Sequence, residues 1–304
     1  MAMSGKVNLI ASHLSDAPPA VPEEKHSWVV LPETPLIKIR VGHRWSSIDL
    51  REIWAHRELL YFLVWRDLKV RYKQTILGAS WVILQPLLMT LVFAVFLGKI
   101  ARVPSGSIPY VLFLYSGLLP WTFFSNAVSS SSHSLIASAH MITKVYFPRS
   151  IVPAAALLVR LSDFLIASVT LIILMLYYSQ PFTWAILIAP LLMLHLTLLA
   201  LGLGLWFSAL NVKYRDIGTA LPVLLQLWMF ASPIIYPSSL VPQQWKWTYD
   251  LNPLAGIIEG FRASILGFDF NWRSLMISAT ITLTLLVYST YAFKHLEDEF
   301  ADVV

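Results

Sequence analysis

ASWVILQPLLMTLVFAVFLG, residues 79–98, decides the fold. It contains no charged residue, and it has the length of about 20 residues that an α-helix needs to cross a hydrocarbon layer of about 30 Å. Further stretches of the same kind lie at roughly 109–128, 151–178, 184–210, 217–236 and 273–293. The sequence therefore predicts an all-α integral membrane protein with six transmembrane helices. Composition points the same way. The 304 residues are 57% hydrophobic and 13% charged, about half the charge of an ordinary soluble domain. Residues 79–293 hold only 10 Lys/Arg and 5 Asp/Glu, too few to build a water-facing surface. A soluble enzyme, a disordered tail protein and a nucleic-acid binder are excluded, in spite of a pI near 9.3.

The remaining charge orients the spans. Residues 1–78 carry 11 of the 22 Lys/Arg, which places this segment in the cytoplasm. Lys144, Arg149, Lys213, Arg215 and Lys294 then fall on the inner side, against Lys99, Arg102, Lys246, Arg262 and Arg273 outside. Both termini are expected to be cytoplasmic. Residues 1–45, rich in Pro, Ser and Ala, read as a flexible cytoplasmic leader with no signal-peptide pattern. Residues 46–78 read as an amphipathic interfacial helix. Asp49 and Glu52 have the spacing of a capping box, and Arg66, Lys69, Arg71 and Lys73 give a basic end suited to anionic headgroups. Residues 79–304 form the transmembrane domain.

Residues 238–268 do not fit a plain six-helix count. Two short pieces, about 241–249 and 254–268, are too apolar for a free loop and short for a crossing. An extra crossing would move the C-terminus outside, against the charge bias. The expectation is an outer re-entrant helical pair covered by protein, carrying Trp245, Trp247, Glu259 and Arg262.

No catalytic or metal site is read. The chain has no cysteine, and its eight histidines show no metal-ligand spacing. No GxxxxGK[ST] loop is present, so any ATP-driven work needs a motor on another polypeptide. Arg160 and Asp163, at i and i+3 within a span, can neutralise one another as a structural pair or serve an ion relay. Trp81, Gln85, Met89, Val92 and Phe96 form one stripe at helical spacing, and Pro222, Gln226, Met229, Phe230 and Pro233 another. Glutamine is disfavoured in lipid, so both stripes should face protein or a water-filled path. Ring faces beside amides suit a sugar, and helix packing with an interhelical hydrogen bond fits equally. The serine tract SNAVSSSSHS (125–134) suits either a wet channel mouth or close helix packing. MITKVYFPRS (141–150) is a short basic inner loop, with Met141, Lys144 and Arg149 around Val145, Tyr146 and Phe147. An exposed hydrophobic knob of this kind is a natural plug for a groove in a partner.

Six motifs occur in order: RDLKVRYKQTILGASWVILQPL (66–87), GLLPWTFF (117–124), TKVYFPRS (143–150), NVKYRD (211–216), SPIIYP (232–237) and LNPLAGIIEGFR (251–262). Together, over roughly residues 50–293, they closely resemble the permease subunit of type-2 ABC exporters for O-antigen, capsule or teichoic-acid polysaccharides. The resemblance implies a homodimer in the bacterial inner (plasma) membrane, with two copies of a separate ATPase subunit that binds ATP and Mg. It implies a lipid-linked polysaccharide as substrate, moved from the cytoplasmic side, with membrane lipids around and no nucleic acid. The helix carrying Arg66, Lys69, Arg71 and Lys73 would frame the entrance, and loop 141–149 would dock on the ATPase. Trp81, Gln85, Met89, Phe96, Gln226, Met229 and Phe230 would line the path, and 238–268 would be its lid. Two other classes compete. A type-2 permease for a small amphipathic drug or lipid would want a narrower, more aliphatic path than 12 Trp and 12 Tyr suggest. A membrane glycosyl- or acyltransferase would need an acid/base constellation at the membrane boundary.

Overall fold

A computed structural model describes residues 54–73, 78, 80–102 and 108–297. The expected leader, and the Asp49–Glu52 cap, lie outside the described residues. Those described form α-helices joined by short turns, with no strand among them. In chain order they are α1 (Arg57–Lys73), α2 (Ser80–Phe93), α3 (Tyr110–Ala137), α4 (Ala139–Ile142), α5 (Ile151–Tyr177), α6 (Ala189–Lys213), α7 (Asp216–Phe230), α8 (Lys246–Asp250), α9 (Pro253–Leu266) and α10 (Trp272–Glu297). Helix α2 continues into a π-helical stretch, Ala94–Ile100, and a 3-10 turn, Trp184–Ile188, leads into α6.

Among the described residues, five helices are long and apolar enough to cross a membrane: Ser80–Ile100, Tyr110–Ala137, Ile151–Tyr177, Trp184–Lys213 and Trp272–Glu297. The fifth expected span, 217–236, is only partly helical. α7 has 15 residues, about 22 Å at 1.5 Å per residue, and the chain then unwinds. Hydropathy carries through SPIIYP, but Pro233 and Pro237 have no N–H to continue a helix. The opposite difference occurs in α3, which runs on through the serine tract. Ser131, Ser132 and Ser134 are buried, and their hydroxyls donate to the carbonyls of Pro153, Phe207 and Ser131. Satisfied on backbone, these serines let helices come close. A methyl group on Gly204 of α6 would stand 2.8 Å from Ser131 Cβ, so the α3–α6 seam depends on small residues.

α3 is the axis of the bundle, with 78% of its most apolar stretch buried, whereas α2 has 11%. α5 and α6 flank α3, α10 packs behind α6, and α9 inserts where α3, α6 and α10 meet. α9 is a short helix with strong ends: Asn252 caps it by accepting from Leu254 N at 3.1 Å, Pro253 takes the first position, and Gly267 closes it at φ +76°. α1 lies on the start of α5, with Leu63 packed against Ile151 and Ala155. Its other side mixes exposed Tyr61, Phe62 and Trp65 with exposed Arg57, Glu58, Arg66, Lys69 and Lys73. The bundle thus has an α1 end, with α4, the α6–α7 turn and the end of α10, and a far end with α8 and α9.

Candidate functional site

At the α1 end, Asp163 of α5 gathers three side chains. Its Oδ1 accepts from the Tyr72 hydroxyl at 2.6 Å, and its Oδ2 lies 3.0 Å from Arg71 Nη2 and 3.4 Å from Arg160 Nη1. The expected Arg160–Asp163 pair is therefore brought together, but as part of a clasp that also holds the end of α1. Arg160 Nε donates to Ser130 of α3 at 2.7 Å, which ties in a third helix. Burial and the adjacent carboxylate push the Tyr72 phenol up to about 12, so it stays a donor at neutral pH. Two guanidinium groups against one carboxylate leave the clasp cationic. It forms one wall of a cavity of about 230 Å³ whose other walls include Trp81, Gln85 and Asn126. A second cavity of about 310 Å³ lies alongside, between Arg66 of α1 and Ser130 and His133 of α3. Lys69 sits over the Trp65 ring at 5.2 Å, and Lys73 is exposed.

Along α2 and its π-helical extension, Trp81, Gln85, Met89, Val92 and Phe96 are all exposed, and Trp81 and Gln85 also face the cavity beside the clasp. On α7, Gln226 and Phe230 are exposed with Pro222, four residues apart in turn. Met229 does not belong with them: it is 8% exposed and continues the core-facing row Leu221, Leu225, Met229. Pro233 is buried too. Three residues of separation turn Met229 to the neighbouring stripe, where burial among leucines favours its thioether.

The loop between α3 and α5 divides its work. Tyr146 is 91% exposed, with Val145 and Lys144 beside it. Phe147, expected to stand out as well, is 5% exposed. It packs with Leu135, Val152, Leu205, Val212 and Phe293, where α3, α5, α6 and α10 converge. Met141 packs against this cluster, and Arg149 Nη1 donates to the Glu297 carbonyl at 2.6 Å. Tyr146 is thus presented on a base whose position Phe147 and Arg149 set.

Asn211 had no role in the sequence reading beyond its place in NVKYRD. Its Nδ2 donates to Ser132 O at 3.0 Å, and its Oδ1 accepts from Gly218 N at 2.9 Å, joining α3, α6 and the first turn of α7. His195 stands 3.0 Å from Thr282 Oγ1, a link between α6 and α10. At the far end, Trp245 and Trp247 are exposed, Glu259 is half-buried, and Arg262 is 4% exposed. The arrangement offers charge at one end, amides and ring faces on α2 and α7, and a closed polar knot at the other end.

A family model described as ABC-2 type transporter matches residues 58–266. The O-antigen export system permease protein RfbA of Myxococcus xanthus is 30% identical over 258 residues, covering 84% of this chain and 98% of that protein. RfbA of Klebsiella pneumoniae is 30% identical over 251 residues, covering 81% and 95%. The polysialic acid transport protein KpsM of Escherichia coli is 26% identical over 246 residues, covering 74% and 90%. These likenesses agree with the resemblance carried by the six motifs.

Proposed function

The chain belongs to the ABC-2 type transporter family, and on that premise we propose that it is the membrane-spanning permease subunit of a polysaccharide exporter. The observation that carries this reading is end-to-end similarity to O-antigen export permeases, over 81% to 84% of this chain and 95% to 98% of theirs. The substrate is a lipid-linked glycan that enters at the α1 end, which is the cytoplasmic end, and leaves at the far end. The membrane is the bacterial inner membrane, and both termini are cytoplasmic, an orientation that the distribution of basic residues supports.

Energy comes from a separate ATPase that binds ATP and Mg, two copies per transporter. Tyr146 and Val145 seat in it, and Phe147 and Arg149 transmit its movement to α5 and α10. The exposed faces of α2 and α7 meet those of a second copy, so that Trp81, Gln85, Gln226 and Phe230 border a shared path. Rings stack on sugar C–H faces and amides bond to hydroxyls there. α7 with its unwound extension makes the sixth crossing, and α8 and α9 form the outer re-entrant lid. Lys69, Arg71 and Lys73 frame the entrance among membrane lipid headgroups.

Deletion of the gene tests the reading. Lipid-linked glycan should accumulate on the cytoplasmic side while surface glycan is lost. Normal surface glycan after deletion overturns the assignment.

A further inference from the structure

After Phe230 the chain runs without helix through 231–236. At membrane depth each free carbonyl must find its donor within the protein. Side chains supply these donors one by one. Tyr236 Oη donates to Phe230 O at 3.0 Å, and Asn252 Nδ2 to Ala231 O at 3.3 Å. Arg262 Nη1 donates to Pro233 O at 2.9 Å and Nη2 to Ile234 O at 3.0 Å. Tyr110 Oη donates to Ile235 O at 2.8 Å. SPIIYP supplies the unwound carbonyls, and LNPLAGIIEGFR supplies both Asn252 and Arg262 to meet them.

The guanidinium is held on every side. It lies 3.8 Å over the Phe113 ring of α3. Gly117 makes room for it, since a methyl group there would run into Arg262 Nη2 and come within 2.7 Å of the Ile234 carbonyl. Yet the knot is only half wired. Arg262 Nε and Glu259 Oε1 are buried without a hydrogen-bond partner. Glu259 stands three residues before Arg262 on α9, the spacing at which carboxylate and guanidinium meet on one helix face. A buried polar network left partly unsatisfied has a second arrangement within reach, in which other pairs close.

We propose that Arg262 is the positioning residue of the exit: it latches α9 to the end of α7 through the Pro233 and Ile234 carbonyls, and it lets go by turning to Glu259. This rests on reading the far end as the exit. α7 carries Gln226 and Phe230, so while the latch is closed the lid follows every movement of the path-lining helix. When Arg262 turns to Glu259, the Pro233 and Ile234 carbonyls lose their donor and the break at 231–236 opens, while α9 stays packed among α3, α6 and α10.

The chain has no cysteine, so a single introduced one reports cleanly. Ile234→Cys sits at the latch, at a position with 0% exposure. Cells carrying the complete transporter are treated with a membrane-impermeant maleimide, and surface glycan is measured in parallel. Arg262→Lys puts a single nitrogen in place of the two that reach Pro233 O and Ile234 O, and should speed labelling about tenfold, an ordinary coupling magnitude. Gly117→Ala, which displaces the guanidinium from the α3 side, should do the same. Glu259→Gln keeps the shape and removes the competing charge. It should slow labelling and reduce surface glycan, with normal amounts of chain in the membrane. Unchanged labelling in both Arg262→Lys and Gly117→Ala overturns the latch. Native labelling in Glu259→Gln overturns the release step. Labelling needs no glycan, so these results stand apart from failure of the export reading, which the glycan arm and the gene deletion report.

Discussion

At the α1 end a carboxylate on α5 gathers two guanidinium groups and a phenol, and Arg71 in that clasp is a third exposed. At the far end a guanidinium on α9 gathers backbone carbonyls and is shut away from solvent. Both devices tie a helix to a neighbour distant in sequence, but they differ in what loosens them. Charges with access to water exchange one partner for another at little cost and are screened by salt. Carbonyls at lipid depth have no such substitute, so their donor can leave only if another buried acceptor takes it. The α1 clasp is therefore open to exchange with other ions, and in the proposed latch the far end stays shut until its own network rearranges.

The sharpest way to break this comparison is Arg262→Ala. It strips the Pro233 and Ile234 carbonyls of charge-assisted donors and should cost about 3–5 kcal/mol, read as a lowered melting temperature of the purified chain. A smaller loss than that of Asp163→Asn would reverse the ranking of the two ends. Phe147→Ala comes next, at about 3 kcal/mol, because it empties a packed crossing of four helices. Its melting curve should fall even without the ATPase present, which a simple contact residue would not do.

Asp163→Asn should cost about 2 kcal/mol, below the range for a fully buried pair because solvent already screens Arg71. Its signature is salt: 0.5 M salt should narrow the gap between this variant and the parent, and leave the gap for Arg262→Ala unchanged. Tyr146→Ala is the smallest in stability, within about 0.5 kcal/mol, since the side chain stands free of the bundle. It should nonetheless lose most co-purified ATPase. Undiminished co-purification removes Tyr146 from docking.

Much of this was legible in the sequence, and the exceptions share a cause. Long apolar stretches announce themselves through hydropathy, so four of the five long apolar helices lie within about four residues of their expected bounds, while α3 runs on past 128 through the serine tract. α7 was overestimated because SPIIYP is as apolar as the helix before it, while its prolines and its unwinding answer to backbone donors instead. Met229 sat in a plausible stripe with Gln226 and Phe230. One-sixth of a turn separates the exposed row from the buried one, and composition does not resolve that angle. Phe147 and Tyr146 are adjacent and aromatic, yet only convergence of α3, α5, α6 and α10 makes one of them a foundation. Arg262 was noted with Glu259 as a charge in an apolar piece. Its partners at Pro233 and Ile234 are backbone groups 28 and 29 residues away, which no side-chain pattern records.

The central claim, that this chain is a path for a lipid-linked glycan driven by a separate motor, is tested most directly in inside-out membrane vesicles. They would carry the chain with its ATPase partner and radiolabelled lipid-linked glycan on the outer leaflet. The account predicts that ATP makes the label resistant to an added glycosidase, and that vesicles lacking either subunit leave it fully digestible. Steady ATP hydrolysis by the complete transporter with no gain in protected glycan would contradict it.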